Sequence, residues 1–312
     1  MSAPAGRVVV VGDALIDELR DGANVRELIG GAALNVAVGL SRLGVPATLV
    51  AMVGDDTAGD HIRAYLRDYG VDLIATPSPR GTARAIVTRS ERGEPSYLFT
   101  EAARERRIRF GRVARAAFAD AALVVVSCFA FDDAEQTAEL EEALAGTDAV
   151  LAVDPNPREG MLRDRAAFVS GFERITRGAA LVKVGADDAQ LLYGASLDDV
   201  RARLLRNGVD VVLATRGSAG AEVSVSGAGA EVRVSRPIAS VPGRVVDTTG
   251  AGDAVLASVV ATLRTDPPAD AAAWAAALDR AMGIAAATCR FEGALLRLPS
   301  ALDDIDLDAL GT

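Results

Sequence analysis

Short runs of β-branched and aliphatic residues alternate along this chain with longer stretches whose apolar positions recur every three or four residues. The first run, Arg7 to Val11, is apolar at nearly every position, as in a strand buried on both faces. A helix is expected from Ala32 to Leu43, then a strand at Ala47 to Val53 and a helix at Thr57 to Tyr69. Further strands are expected at 122–127, 149–154, 180–184 and 209–215, with helices at 133–144, 187–193 and 197–206. Two more helices, 251–263 and 270–288, complete the pattern. Strand alternating with helix at this spacing predicts an α/β fold built on a doubly wound, mainly parallel sheet.

Two regions break the alternation. Residues 15–28 and 84–100 read as short two-residue alternations with turn residues at Asp21-Gly22 and Arg92-Gly93. Both are too long for simple loops, and they are read as a small antiparallel lid inserted into a single domain spanning 1–312. Apolar edges on such strands make a homodimer through the lid plausible. A hairpin at 221–235, turning through S-G-A-G, reads as sheet-edge decoration.

Composition narrows the function. Hydrophobic residues make up 50% of the chain and aromatic ones only 4%, so the core must come from Ala, Val and Leu. A net charge of −10 argues against a nucleic-acid partner, which needs a basic face, but not against a small anion held in a local cradle. No window is long and apolar enough for a membrane span, and the N-terminus lacks a signal-peptide pattern, so a cytoplasmic protein is expected. Cys128 and Cys289 read as separately buried free thiols. Lys183 is the only lysine and has no glycine-rich Walker loop beside it. His61, the only histidine, reads as a helix-face residue, which disfavours a Ser-His-Asp triad or a histidine-based zinc site.

The strongest chemical signal is D-T-T-G-A-G-D at Asp247 to Asp253, just ahead of the apolar run Ala254 to Leu263. Gly250 and Gly252 let the backbone bend and approach a ligand, and the first helical turn that follows would offer free N–H groups to an anion. Asp253 inside that cradle would repel phosphate unless it took the proton of an attacking hydroxyl, which is the arrangement needed for phosphoryl transfer to an alcohol. A capped helix with a first-turn acid is the plainer alternative. A dinucleotide-dependent oxidoreductase is disfavoured, because V-G-D-A-L-I-D carries one glycine where the fingerprint needs three.

A second signature lies near the start: G-G-A-A-L-N-V-A-V-G-L-S-R-L-G from Gly30 to Gly44, then V-G-D-D-T-A-G-D ending at Asp60. With D-T-T-G-A-G-D, it resembles the paired signatures of the ribokinase-like (PfkB) carbohydrate kinases, across nearly the whole chain and in the expected order. The resemblance implies a ribokinase-like fold and an ATP- and Mg2+-dependent sugar kinase. Asp253 would be the base, and Gly250, Ala251 and Gly252 would hold the phosphates. Asp17, and more weakly Asp13, would grip sugar hydroxyls, with Gly30, Gly31 and Asn35 beside them. D-P-N-P-R at Asp154 to Arg158 resembles the pattern of fructokinases and 2-keto-3-deoxygluconate kinases, which puts Asn156 and Arg158 at the substrate.

The segment from Lys183 to Asp188 stands in the place of the family's N-x-x-E motif, with Gly185 for the Asn and Asp188 for the Glu. Lys183 is then expected near the nucleotide, and Asp188 is expected to hold Mg2+ through water. Thr215-Arg216-Gly217 resembles the T-x-G turn that borders the nucleotide, where Arg216 meets phosphate or solvent. Asp247 and Thr249 match positions that hold a monovalent cation such as K+ in relatives. Fructose is the first expected acceptor; 2-keto-3-deoxygluconate, ribose and nucleosides are the alternatives, with a non-catalytic binding protein behind them.

Overall fold

The valine run becomes β1 (Val8–Gly12), and all five of its residues are buried. Val8 and Val10 enter one apolar cluster while Val9 and Val11 enter another, so the run is continuous because both of its faces are covered. The computed structural model describes residues 6–21, 24–89, 95–226 and 232–303.

On either side of β1 the strands β4 (Ala47–Gly54) and β8 (Leu123–Ser127) pair in parallel with it. Beyond β4 lies β5 (Asp72–Ser78); beyond β8 follow β9 (Val150–Asp154), β10 (Leu181–Gly185) and β11 (Val211–Thr215), all parallel. Antiparallel β12 (Ala221–Val225) and β13 (Val232–Arg236) finish that edge, as the hairpin pattern indicates. Residues 227–229 of the expected turn lie outside the described residues.

One face is covered by α1 (Ala32–Arg42), α2 (Thr57–Asp68), α9 (Ala251–Thr265) and α10 (Ala271–Thr288). The other carries α4 (Arg112–Ala119), α5 (Ala134–Leu144), α6 (Arg165–Ile175), α7 (Ala186–Tyr193) and α8 (Leu197–Arg206). That second face holds most of the aromatic mass: Phe131 packs edge-on against Phe129, Phe168 and Phe172. Helix α6 has the signals the apolar period alone obscured, since Asp164 caps Ala167 at 2.9 Å and Phe168, Phe172 and Ile175 share one face. Strand β5 escapes pattern reading because it is a half-exposed edge that tolerates Pro77.

The segments expected to form a lid make a second sheet, ordered β3 (Asn24–Gly30), β2 (Leu15–Asp21), β6 (Arg84–Arg89), β7 (Pro95–Phe99). It is not wholly antiparallel as expected: β2 and β6 run parallel, since each follows one of the parallel strands β1 and β5 out of the same carboxyl end of the main sheet. Arg84 ties the sheet together through Glu18 at 2.9 Å and Glu27 at 2.5 Å. Gly22 and Arg92-Gly93, the expected turns, lie outside the described residues. After β7 comes α3 (Glu101–Glu105), capped by Thr100 and ending at Arg106 in a left-handed conformation, φ 40°. Both cysteines are free and buried, and His61 is exposed on α2. Among the described residues no helix is long and apolar enough to cross a membrane.

Candidate active site

The carboxyl ends of β1, β8, β9, β10 and β11 open toward the amino end of α9, the usual position of a ligand crevice in an open α/β sheet. The loop ahead of α9 is held by Asp247. Its Oδ1 accepts from Thr249 N and Oγ1 at 2.9 and 2.7 Å, and its Oδ2 accepts from Gly293 N at 3.0 Å. Gly250 then turns left-handed at φ 75°, where a Cβ would stand 2.6 Å from Cα of Ala294, so no other residue fits without displacing the backbone.

Among the described residues the N–H groups of Gly250, Gly252 and Asp253 make no backbone hydrogen bond. The N–H of Ala251, expected to be open, instead closes a turn onto the Thr248 carbonyl at 3.2 Å. The tight loop uses one donor of the cradle for itself. Three remain, at the positive end of a 15-residue helix.

Asp253 is buried, and its Oδ2 accepts from Nδ2 of Asn35 at 2.8 Å, joining α9 to α1. Asn35 was expected to face the sugar directly; the structure uses its amide to fix one oxygen of the acid, leaving Oδ1 free. Burial raises the Asp253 carboxyl above its ordinary range, against the pull of Asn35, Lys183 and Arg158. Asp13 is also buried, and its Oδ1 accepts from Ala33 N at 3.0 Å, so it caps α1, whose own N-cap is the glycine Gly31. The Cys128 thiol also hydrogen-bonds to the Asp13 side chain, so at most its second oxygen is left to a ligand. Asp17, at the start of the lid, is pushed up to about 7 by burial and by the neighbouring Asp13 charge. Its Oδ2 lies so close over Gly30 that a Cβ there would collide with it.

After β9, Asn156 is buried with φ 37°, a left-handed conformation that Asn tolerates better than most residues. Arg158 is exposed, yet its charge reaches Asp13, Asp17 and Asp253. Asp154, at 0% exposure, pairs with Nζ of Lys183 at 2.6 Å. Burial works against the Lys183 charge, but Asp154 and then Asp188 hold it above its ordinary value. Cε and Nζ of Lys183 lie 3.4 Å from where a Cβ on Gly252 would stand, so the chain's one ammonium sits against the cradle.

Asp188 was read as a magnesium ligand. Its Oδ2 accepts from Gly185 N at 2.7 Å and caps α7, which leaves one oxygen outward. Thr215 ends β11 with its hydroxyl near Gly185, and Gly217 turns left-handed at φ 56°. Arg216 pairs with Asp198 at 3.1 Å, outside the cradle, and is free for phosphate only if it exchanges that partner. Sequence reading missed Arg106. It is 7% exposed and lines a recess beside Asp13, but within A-A-R-E-R-R it looks like one more solvated arginine.

Open amides with a buried acid set among them, facing further acids across a crevice, make a site for an anion and a polyol together. Comparison with known proteins identifies the family. Residues 6–301 match the model of the pfkB family carbohydrate kinases. Fructokinase-1 of Zea mays is 30% identical, over 97% of this chain and 98% of that protein. Fructokinase of Salmonella typhimurium is 27% identical, over 94% and 96%. Aminoimidazole riboside kinase from Salmonella enterica, solved with aminoimidazole riboside and an ATP analog, has a TM-score of 0.74 at 26% identity, covering 95% of this chain and 98% of that one. Fructokinase from Xylella fastidiosa with bound ATP shares the fold, with a TM-score of 0.77 at 23% identity over 93% and 94%. The chain belongs to the pfkB family of carbohydrate kinases.

Proposed function

We propose that this chain transfers the γ-phosphate of ATP to a hydroxyl of fructose, with Asp253 as the general base. The observation that carries the reading is the Asn35–Asp253 hydrogen bond, which fixes a buried acid beside open amides. The terminal phosphates of ATP lie over the N–H groups of Gly250 and Gly252, and Lys183 supplies a positive charge from below. Thr215, Arg216 and Gly217 border the nucleotide. Asp17 and the open oxygen of Asp13 accept hydrogen bonds from sugar hydroxyls, with Gly30, Gly31, Asn156 and Arg158 around them. Oδ1 of Asp253 takes the proton as the sugar oxygen approaches phosphorus in line. The fructokinase relatives favour fructose as the acceptor.

Magnesium fits without a protein cage. Among the described residues no three metal-binding side chains cluster, and the outward oxygen of Asp188 suits an ion that keeps its water. When bound, Mg2+ would offset charge on the phosphate oxygens. Asp247 and Thr249 are the proposed holders of a monovalent cation, and the two free, separately buried thiols suit a cytoplasmic setting.

The test is ADP release with fructose, ribose, 2-keto-3-deoxygluconate and adenosine in parallel, in potassium and again in tetramethylammonium salts. Fructose is expected to give the highest kcat/KM. Binding of ATP with no ADP released for any acceptor would leave only a ligand-binding homologue. Equal rates in the two salts would remove the monovalent-cation assignment.

A pH dependence follows from Asp17. Its ionised form accepts sugar hydroxyls, and its carboxyl titrates at about 7 in the free protein. The kcat/KM for sugar should therefore fall about tenfold per pH unit below that value and level off above it. Bound hydroxyls favour the carboxylate, so the same limb should move to lower pH in kcat. A limb at the same pH in both profiles would assign it to another group.

A further inference from the structure

The motif V-G-D-D-T-A-G-D joins β4 to α2, and its residues converge on one point of the chain. Asp56 caps α2, its Oδ1 accepting from Gly59 N at 2.8 Å. The same carboxylate grips Thr82, in the connection from β5 to β6. Oδ2 accepts from Thr82 N at 2.8 Å, and Oδ1 accepts from Thr82 Oγ1 at 2.5 Å. Burial works against the charge of Asp56, but the hydrogen bonds from Thr82 and Gly59 hold its carboxyl below the ordinary range. The motif's glycines make room for this contact. A Cβ on Gly54 would collide with the N–H of Thr82, and one on Gly59 would collide with the Gly54 carbonyl.

Thr82 is buried, two residues before β6 begins. Its neighbour Ala83 presents the carbonyl that Ile16 N–H of β2 meets at 3.0 Å, at the start of the ladder between β2 and β6. Asp17 is the next residue on β2. Hydrogen bonds from Thr82 to Asp56 and from Ile16 to Ala83 thus tie the amino end of α2 to the strand that carries Asp17. That acid stands close over Gly30, a fit that a shift of β2 would lose.

We propose that Asp56 is a positioning residue of this kinase: it fixes the start of β6, and through β6 the place of Asp17 against the sugar. The role rests on the reading of Asp17 as a sugar contact and adds the residue that holds that acid in register.

The experiment measures kcat, KM for the preferred sugar, KM for ATP and melting temperature in the parent, Asp56→Asn, Thr82→Val and Thr82→Ser. Asn keeps the shape of Asp56 and still caps α2, but the nitrogen in place of Oδ2 cannot accept from Thr82 N–H. Thr82→Val deletes the hydroxyl and leaves the cap untouched. In Asp56→Asn, KM for the sugar should rise about tenfold, the scale of a misplaced binding group, while kcat and KM for ATP hold. The rise should be smaller in Thr82→Val, which keeps the backbone bond, and absent in Thr82→Ser.

The acid limb of kcat/KM at about 7, assigned to Asp17, is a readout that a helix cap would not move. Asp17 faces Asp13, Arg158, Asp247 and Asp253, none of them substituted. Loosening β2 admits water to Asp17, so the limb should shift to lower pH in Asp56→Asn and Thr82→Val. A lower melting temperature with unchanged KM for the sugar and an unmoved limb would make Asp56 a cap only and overturn the proposal. If Asp56→Asn does not fold, Thr82→Val decides by the same two measurements. No ADP release by the parent with any sugar overturns the kinase reading and this role with it, whereas an active parent with unaffected variants overturns the role alone.

Discussion

Asp253→Asn is expected to fold, to bind ATP, and to turn over about 10²–10⁴ times more slowly than the parent, the usual range for a positioned acid–base group. The amide keeps the volume of the carboxylate and can still meet the Asn35 side chain, with one of the two amides flipped. Burial disfavours the ionised parent group, so the neutral replacement pays a smaller desolvation cost, and melting temperature should hold or rise. Loss of rate without loss of stability separates chemistry from structure. A folded variant turning over at near-parental rate would discard Asp253 as the base. Asn35→Ala should show the milder version, because the acid remains and only its orientation relaxes.

That hydrogen bond also marks the boundary of what the sequence makes legible. Asn35 and Asp253 each stand in a recognisable local pattern, but they lie 218 residues apart, and nothing in either pattern says that one fixes the other. Local signals performed well where one residue's conformation decided the outcome, as at Gly250, whose φ of 75° belongs to the turn before a helix. The strands of the main sheet were legible because burial on both faces leaves continuous apolar runs, as in β1 and β8. Side chains whose roles depend on which neighbour they find were not. Asp188 reads as a holder of Mg2+ through water and Asp13 as a weaker sugar contact, yet each also caps a helix, and Arg216, read as meeting phosphate or solvent, pairs with Asp198. Arg106 was the least legible of all, since its burial follows from the left-handed end of α3 and from tertiary packing around it.

The Lys183–Asp154 pair carries the second large effect. Removing one partner of a buried pair leaves the other uncompensated, so Lys183→Met should lose about 3 kcal/mol or more at pH 7.5. The pH sign can be worked out. Burial already raises Asp154 to about 6 with Lys183 beside it, and loss of the ammonium pushes it higher. An acid raised above its unfolded value destabilises the fold when ionised, so the deficit should shrink as the pH falls toward 5 and Asp154 takes up a proton. Adding Asp154→Asn removes the orphaned charge and should recover most of the stability at pH 7.5. It should not recover turnover, because the cradle at Gly252 still lacks its ammonium, and kcat/KM for ATP should stay about 10- to 100-fold down. Denaturant melts and ATP kinetics on the single and double variants read the two roles separately. If stability and ATP use return together in the double variant, Lys183 serves only the fold, and the phosphates are held without it.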